Sequence, residues 1–184
     1  MYWLPTALLT AFSLSTADAL SKRALKGTDD LVIVWVREGY ALPFLAFAFI
    51  FIDVPPLDPT FWLALGLLVP LEVVSLVLYV KAIKLSPLSL SVPFLALSPV
   101  FIIFIAYFVL GEVPTRGGVA GVCLIAVGAY LLNASASRFG LLGPIKAIAR
   151  EPGSMLMIVV SIVYSVTATI GKVAIEHSGP AASG

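Results

Sequence analysis

The stretch Ser86-Pro87-Leu88-Ser89-Leu90-Ser91-Val92-Pro93-Phe94-Leu95-Ala96-Leu97-Ser98-Pro99-Val100-Phe101 decides how the rest of the chain is read. It opens an apolar run from Ser89 to Leu110. A bilayer hydrocarbon core of roughly 30 Å takes about 20 helical residues to cross, and this run is long enough. Two prolines, Pro93 and Pro99, lie inside it. Each lacks a backbone N–H and crowds the preceding turn, so the helix is expected to kink or open. In lipid, freed carbonyls persist only where protein, hydroxyls or cavity water satisfies them, and Ser91 and Ser98 are placed to help.

Outward from this stretch the chain repeats the same theme. Apolar blocks cover Trp3 to Leu20, Leu31 to Ile52, Phe61 to Ile83, Gly117 to Asn133 and Ser154 to Ile175, making six with Ser89 to Leu110. Between them fall sharp polar breaks, such as Lys26-Gly27-Thr28-Asp29-Asp30, Asp53-Val54-Pro55-Pro56-Leu57-Asp58-Pro59 and Gly111-Glu112-Val113-Pro114-Thr115-Arg116. Glycine and proline propagate helices poorly, so these are turns. The expected fold is all-α: a polytopic membrane helix bundle of six transmembrane helices. Ala17-Asp18-Ala19 resembles a signal-peptide cleavage site, but Met1 to Pro5 carries no basic residue, so the first block reads as a retained helix.

Composition agrees. The 184 residues are 60% hydrophobic and only 11% charged, with a mean hydropathy of +1.09, whereas soluble domains carry roughly 25% charged residues. A net charge of +1 with no basic run sets nucleic-acid binding aside. Cys123, the single cysteine, cannot form an internal disulfide and reads as a small packing residue. Connections one, three and five carry Lys22, Arg23, Lys26, Lys81, Lys84, Arg138, Lys146 and Arg150, while the opposite side has Arg116 and Lys172. That asymmetry predicts odd-numbered loops in the cytoplasm and an outside N-terminus.

Ionisable groups inside the blocks are costly, about 2.5 to 3.5 kcal/mol at a helix centre, so each calls for an explanation. Asp18 and Lys22 are four apart and could pair on one face. Arg37, about 9 Å into the second block, could snorkel to the headgroups, pair with Asp18 of the adjacent helix or face a solute. Glu38, rotated roughly 100° from Arg37, cannot share its partner. Glu72 falls near the midplane and forms a stripe with Ser75 and Tyr79, either a cavity wall or a neutral acid bonded to a neighbouring helix, for instance at a carbonyl freed by Pro70. Ser13, Ser15 and Thr16, and their echo Ser165, Thr167 and Thr169, are helix-packing hydroxyls or cavity lining. The candidate cavity-lining set is therefore Ser13, Thr16, Arg37, Glu72, Ser75, Tyr79, Ser91 and Ser98, with Pro70, Pro93 and Pro99 as kink positions. Gly117 and Gly121, with Gly128 beyond, form a small-residue face suited to close helix approach. Glu112 and Thr115 read as structural, Thr115 as a cap for the fifth block. His177 stands alone beyond the last block and reads as solvated. No nucleophile elbow, metal-ligand cluster or phosphate loop is present, so neither an enzyme nor a cofactor or metal is expected.

The run Pro87-Leu88-Ser89-Leu90-Ser91-Val92-Pro93, then Pro99-Val100, then Leu110-Gly111-Glu112-Val113-Pro114-Thr115 and Gly117 to Leu132, resembles the EamA-type branch of the drug/metabolite transporter superfamily. The resemblance implies a ten-helix carrier of small metabolites or drugs built from two inverted five-helix repeats. This chain has six blocks. At an offset of 150 residues Ser15 matches Ser165, Lys22 matches Lys172 and Ala24 matches Ala174, so the last block reads as the first helix of a second repeat. The expected organisation is a first repeat over residues 1–135, a connecting loop over 136–153, and the opening helix and tail over 154–184. Such a chain would need a missing C-terminal half or a second copy as homodimer partner, with membrane lipid and a small-molecule substrate as its other partners. The competing reading is a non-transporting membrane subunit.

Overall fold

The computed structural model describes residues 3–51, 57–111, 115–132, 148 and 150–178, and every regular element among them is helical. The elements are α1 (Trp3–Ala24), α2 (Asp30–Gly39), α3 (Leu42–Phe49), α4 (Pro59–Leu85), α5 (Leu88–Ser91), a 3-10 segment (Val92–Leu97), α6 (Ser98–Leu110), α7 (Arg116–Leu132) and α8 (Pro152–Glu176). Three runs, Pro59–Leu85, Leu88–Ile105 and Pro152–Glu176, are long and apolar enough to cross a membrane. The fold is an all-α membrane bundle. Glu112 and residues 136–147 and 149 of the connection lie outside the described residues.

Helix starts follow local chemistry. The Asp29 carboxylate accepts the Leu31 N–H at 2.8 Å and the Asp58 carboxylate accepts that of Phe61 at 2.9 Å, each satisfying one of the orphan donors of a first turn. Thr115 does the same for α7 through Gly118 N–H at 3.1 Å.

The second block differs from the single span expected, because it divides into α2 and α3 at Tyr40. Pro43 is the cause. It has no N–H to give the Gly39 carbonyl and its ring crowds that carbonyl. The chain tightens there, with Ala41 N–H bonding Glu38 O only three residues back. The proline-rich fourth block opens as its sequence implies. Pro93 is the second residue of the 3-10 segment and Pro99 the second of α6. The Leu95 carbonyl, deprived of a donor by Pro99, accepts Ser98 N–H instead. Pro70, by contrast, leaves α4 unbroken.

The core is the antiparallel seam of α4 and α8. Gly153 of α8 meets Ser86 just past the end of α4, Tyr164 stands opposite Ser75, and Gly171 lies against Leu68. Val80, Ala82, Ile83, Met157 and Val160 are fully buried along it, with Ser75, Ser161 and Ser165 among them. Lipid tails are as apolar as these side chains, so the seam gains from close packing and interhelical hydrogen bonds rather than from escaping water. A Cβ on Gly153 would stand 2.7 Å from the Ala82 carbonyl oxygen. Only glycine fits there.

Three of the four glycines of α7 are different. A Cβ on Gly117, Gly121 or Gly128 would meet nothing within 4 Å, and Cys123 is exposed. The close packing expected of this helix is instead found at α4 and α8, and its small face has no neighbour among the described residues.

Candidate functional site

Three helices bring polar groups together about two turns from one end of the bundle. Asp18 of α1, buried, accepts Arg37 Nη1 of α2 at 2.7 Å on one carboxylate oxygen and the Tyr79 hydroxyl of α4 at 2.6 Å on the other. The Arg37 guanidinium also stacks over the Tyr79 ring, 5.1 Å from its centroid, a geometry favoured by the ring quadrupole. The carboxylate is thus held from both sides and the guanidinium is neutralised at the edge of an open space.

That space is a hollow of about 330 Å³ lined by Ala11, Leu14, Ser15, Asp18, Arg37, Tyr79, Val92, Leu95 and Tyr164. A second hollow of about 280 Å³ shares Ser15, Asp18 and Val92 with it and adds Leu88, Ser89 and Pro93. Walls therefore come from α1, α2, α4, the opened proline segment and α8. They are mostly apolar, with the Asp18–Arg37–Tyr79 triad as a polar floor.

Hydroxyls of α8 brace the opened segment from behind. Ser154 donates to the Leu90 carbonyl at 3.3 Å, just before the 3-10 turns, and Ser165 shares its proton between the Ser161 carbonyl of its own helix at 2.6 Å and the Ser98 carbonyl at 2.9 Å, just after them. Both ends of the irregular backbone are thereby pinned to one straight helix. This is how non-helical backbone is tolerated at membrane depth.

Of the eight lining residues expected from sequence, Arg37 and Tyr79 face the hollow. Ser13 and Thr16 are not among its lining residues, and Thr16 bonds back to the Phe12 carbonyl at 2.8 Å. Ser15 and Asp18 take their place. Ser75 is buried, donating to the Glu72 backbone carbonyl at 2.8 Å. Glu72 is half-buried, within electrostatic reach of the Tyr164 phenol, and is not among the residues lining either hollow. Ser91 is buried, bonded to the Pro87 carbonyl at 3.2 Å, and Ser98 contributes its carbonyl to Ser165.

The local pairing of Asp18 with Lys22 is also replaced. The Lys22 ammonium instead reaches the backbone carbonyls of Ile83, Lys84 and Ser86. These are orphan acceptors at the end of α4, where the helix dipole favours a cation. His177, expected to be solvated, places Nδ1 2.9 Å from the Val173 carbonyl. Tyr164 was missed because nothing local in α8 marks one aromatic as facing inward. No cluster of three or more His, Cys, Asp or Glu that could hold a metal occurs among the described residues.

Comparison with known proteins adds one finding. The model of the EamA-like transporter family matches residues 1–134. No curated protein and no solved structure matches the chain.

Proposed function

The chain belongs to the EamA-like transporter family, and from that premise we propose that it is a secondary carrier exporting small organic metabolites or drugs across the cytoplasmic membrane by alternating access. The observation that carries the reading is the hollow floored by Asp18, Arg37 and Tyr79. Ligand sites are concave and largely apolar with a few convergent polar groups, in volumes of about 300 to 1,000 Å³. A hollow of about 330 Å³ sits at the small end of that range and suits a metabolite-sized solute.

The ion pair strengthens the reading. An ionised pair at membrane depth is expensive to insert, and such groups mark solute or ion pathways. In this proposal the triad is the solute-facing floor, Val92 and Leu95 supply an apolar wall that shifts with the opened segment, and Tyr164 is the contribution of the second repeat. Residues 1–135 form the first repeat, and the rest of the cavity wall comes from a longer chain or a second copy. The cytoplasmic face carries Lys22, Lys26 and Lys84.

Reconstituted protein tests this. Proteoliposomes are loaded with a panel of labelled amino acids, nucleobases and organic cations, and efflux is followed. Saturable efflux of at least one compound, reduced about tenfold or more by Asp18→Asn and unchanged by Leu124→Ala on an exposed face, supports the proposal. Efflux indifferent to Asp18→Asn, or none from any compound, removes it.

A further inference from the structure

Cross-helix polar contacts concentrate at one end of the bundle. Lys22 of α1 holds the carbonyls of Ile83, Lys84 and Ser86, and Lys84 is ion-paired with Asp30 in the first turn of α2. The Ser86 hydroxyl donates to the Glu151 carboxylate and accepts the Gly153 N–H at 3.0 Å. Ser86 is itself buried, and Gly153 is packed so tightly on it that no side chain fits. Fully buried Ile83 and Met157 lie directly beneath. The α1 wall of the first hollow runs away from this layer, from Asp18 back to Ala11, while the second hollow reaches Leu88 and Ser89 just past Ser86. At the far end of α4, Trp62, Leu63 and Leu67 are exposed.

We infer that the layer of Lys22, Ser86, Glu151 and Gly153 is the gate that closes the solute cavity on this side. It rests on the carrier reading above. The gate joins the two units that inverted-repeat carriers rock against each other, since Lys22 and Ser86 precede residue 134 and Glu151 and Gly153 follow it. Ser86 is its pin. One hydroxyl of the α4 side holds two groups of the α8 side, so a small displacement of α8 along α4 breaks the Glu151 and Gly153 contacts together, and water then has a path between the end of α4 and the start of α8. Its hydrogen bonds are all to groups that water can equally satisfy. Such a layer can open without stranding a buried donor, unlike the Asp18 triad deeper in.

The test uses a Cys123→Ser background with Leu95→Cys as a reporter in the hollow and Lys26→Cys in a parallel sample to identify the gate side of the vesicle. A membrane-impermeant maleimide added from the gate side should label Leu95→Cys slowly. Adding Gly153→Ala, which forces α8 away from Ala82, or Glu151→Ala, which removes the acceptor of the pin, should speed that labelling about tenfold or more, while labelling from the opposite side stays the same or slows. Unchanged gate-side labelling in both loosened variants, in protein that remains monodisperse, overturns the gate. If labelling shifts as expected while no compound is transported, the gate stands and the carrier reading falls.

Discussion

Replacing Asp18 by alanine should be among the most damaging single changes to the bundle, and the structure sets how large the effect is. It would strand a guanidinium whose side chain is 18% exposed and a phenol that is 4% exposed. In soluble proteins, removing one partner of a buried pair costs about 3–5 kcal/mol. Hydrogen bonds between membrane helices are worth less, averaging about 0.6 and reaching about 1.7 kcal/mol, because separated helices also find partners. Two bonds to a charged acceptor at about 1.0–1.5 kcal/mol each, between these figures, give about 2–3 kcal/mol for Asp18→Ala. Arg37→Met leaves the carboxylate held by Tyr79 alone and should cost about 2 kcal/mol. Each single change also bears the cost of the stranded partner, so the double variant should be only about 3 kcal/mol less stable than the parent, a coupling of roughly 1.5 kcal/mol. Unfolding in mixed detergent micelles titrated with dodecyl sulfate measures all four proteins. Additivity within about 0.5 kcal/mol would show that the two groups do not depend on each other, and the triad as described would be refuted.

Other outcomes follow from the same contacts. Gly153→Ala overpacks the α4–α8 seam, where its methyl would stand 2.7 Å from the Ala82 carbonyl, and should lower stability by about 1–3 kcal/mol in the same titration; Gly121→Ala, with open space around it, should change it by less than about 0.5 kcal/mol. Lys22→Met uncaps α4 and should cost about 1–2 kcal/mol, whereas Lys26→Met, in the exposed turn, should cost almost nothing; equal effects would contradict the capping geometry. Ser165→Ala should weaken the bundle by about 0.6 kcal/mol through loss of the bond to the Ser98 carbonyl, while Thr16→Val, whose hydroxyl bonds only its own helix, should be neutral or slightly stabilising. Pro93→Ala restores a donor to the 3-10 segment and should raise helicity by circular dichroism while lowering efflux.

Much of the fold was legible because its causes are local. Apolar block length fixes the helices, Asp29, Asp58 and Thr115 cap them, and the backbone chemistry of Pro93 and Pro99 opens the fourth block wherever it sits. The break at Tyr40 has an equally local cause in Pro43, four residues after Gly39, a spacing that could have been read. The site was legible only in part. Depth along a helix identifies which groups are costly, and it placed Arg37 and Glu72 in the candidate set, with Tyr79 added by the stripe that starts at Glu72. It says nothing about which way a helix is turned, and that rotation is set by packing against α8. So Glu72, the deepest carboxylate, lines neither hollow, and Asp18, close enough to Lys22 for a local pair, is claimed by two other helices. The glycines of α7 show the converse: a small-residue pattern permits close approach without supplying the neighbour.

The central claim is that water reaches a hollow walled by the opened proline segment. A thiol reacts with aqueous reagents as its thiolate, so only a wet site labels. In a Cys123→Ser background, Val92→Cys, which lines both hollows, should react with a small charged methanethiosulfonate, whereas Leu124→Cys on the exposed face of α7 should not. A reactive Leu124→Cys beside an inert Val92→Cys would place water on the wrong face of the bundle and contradict the account.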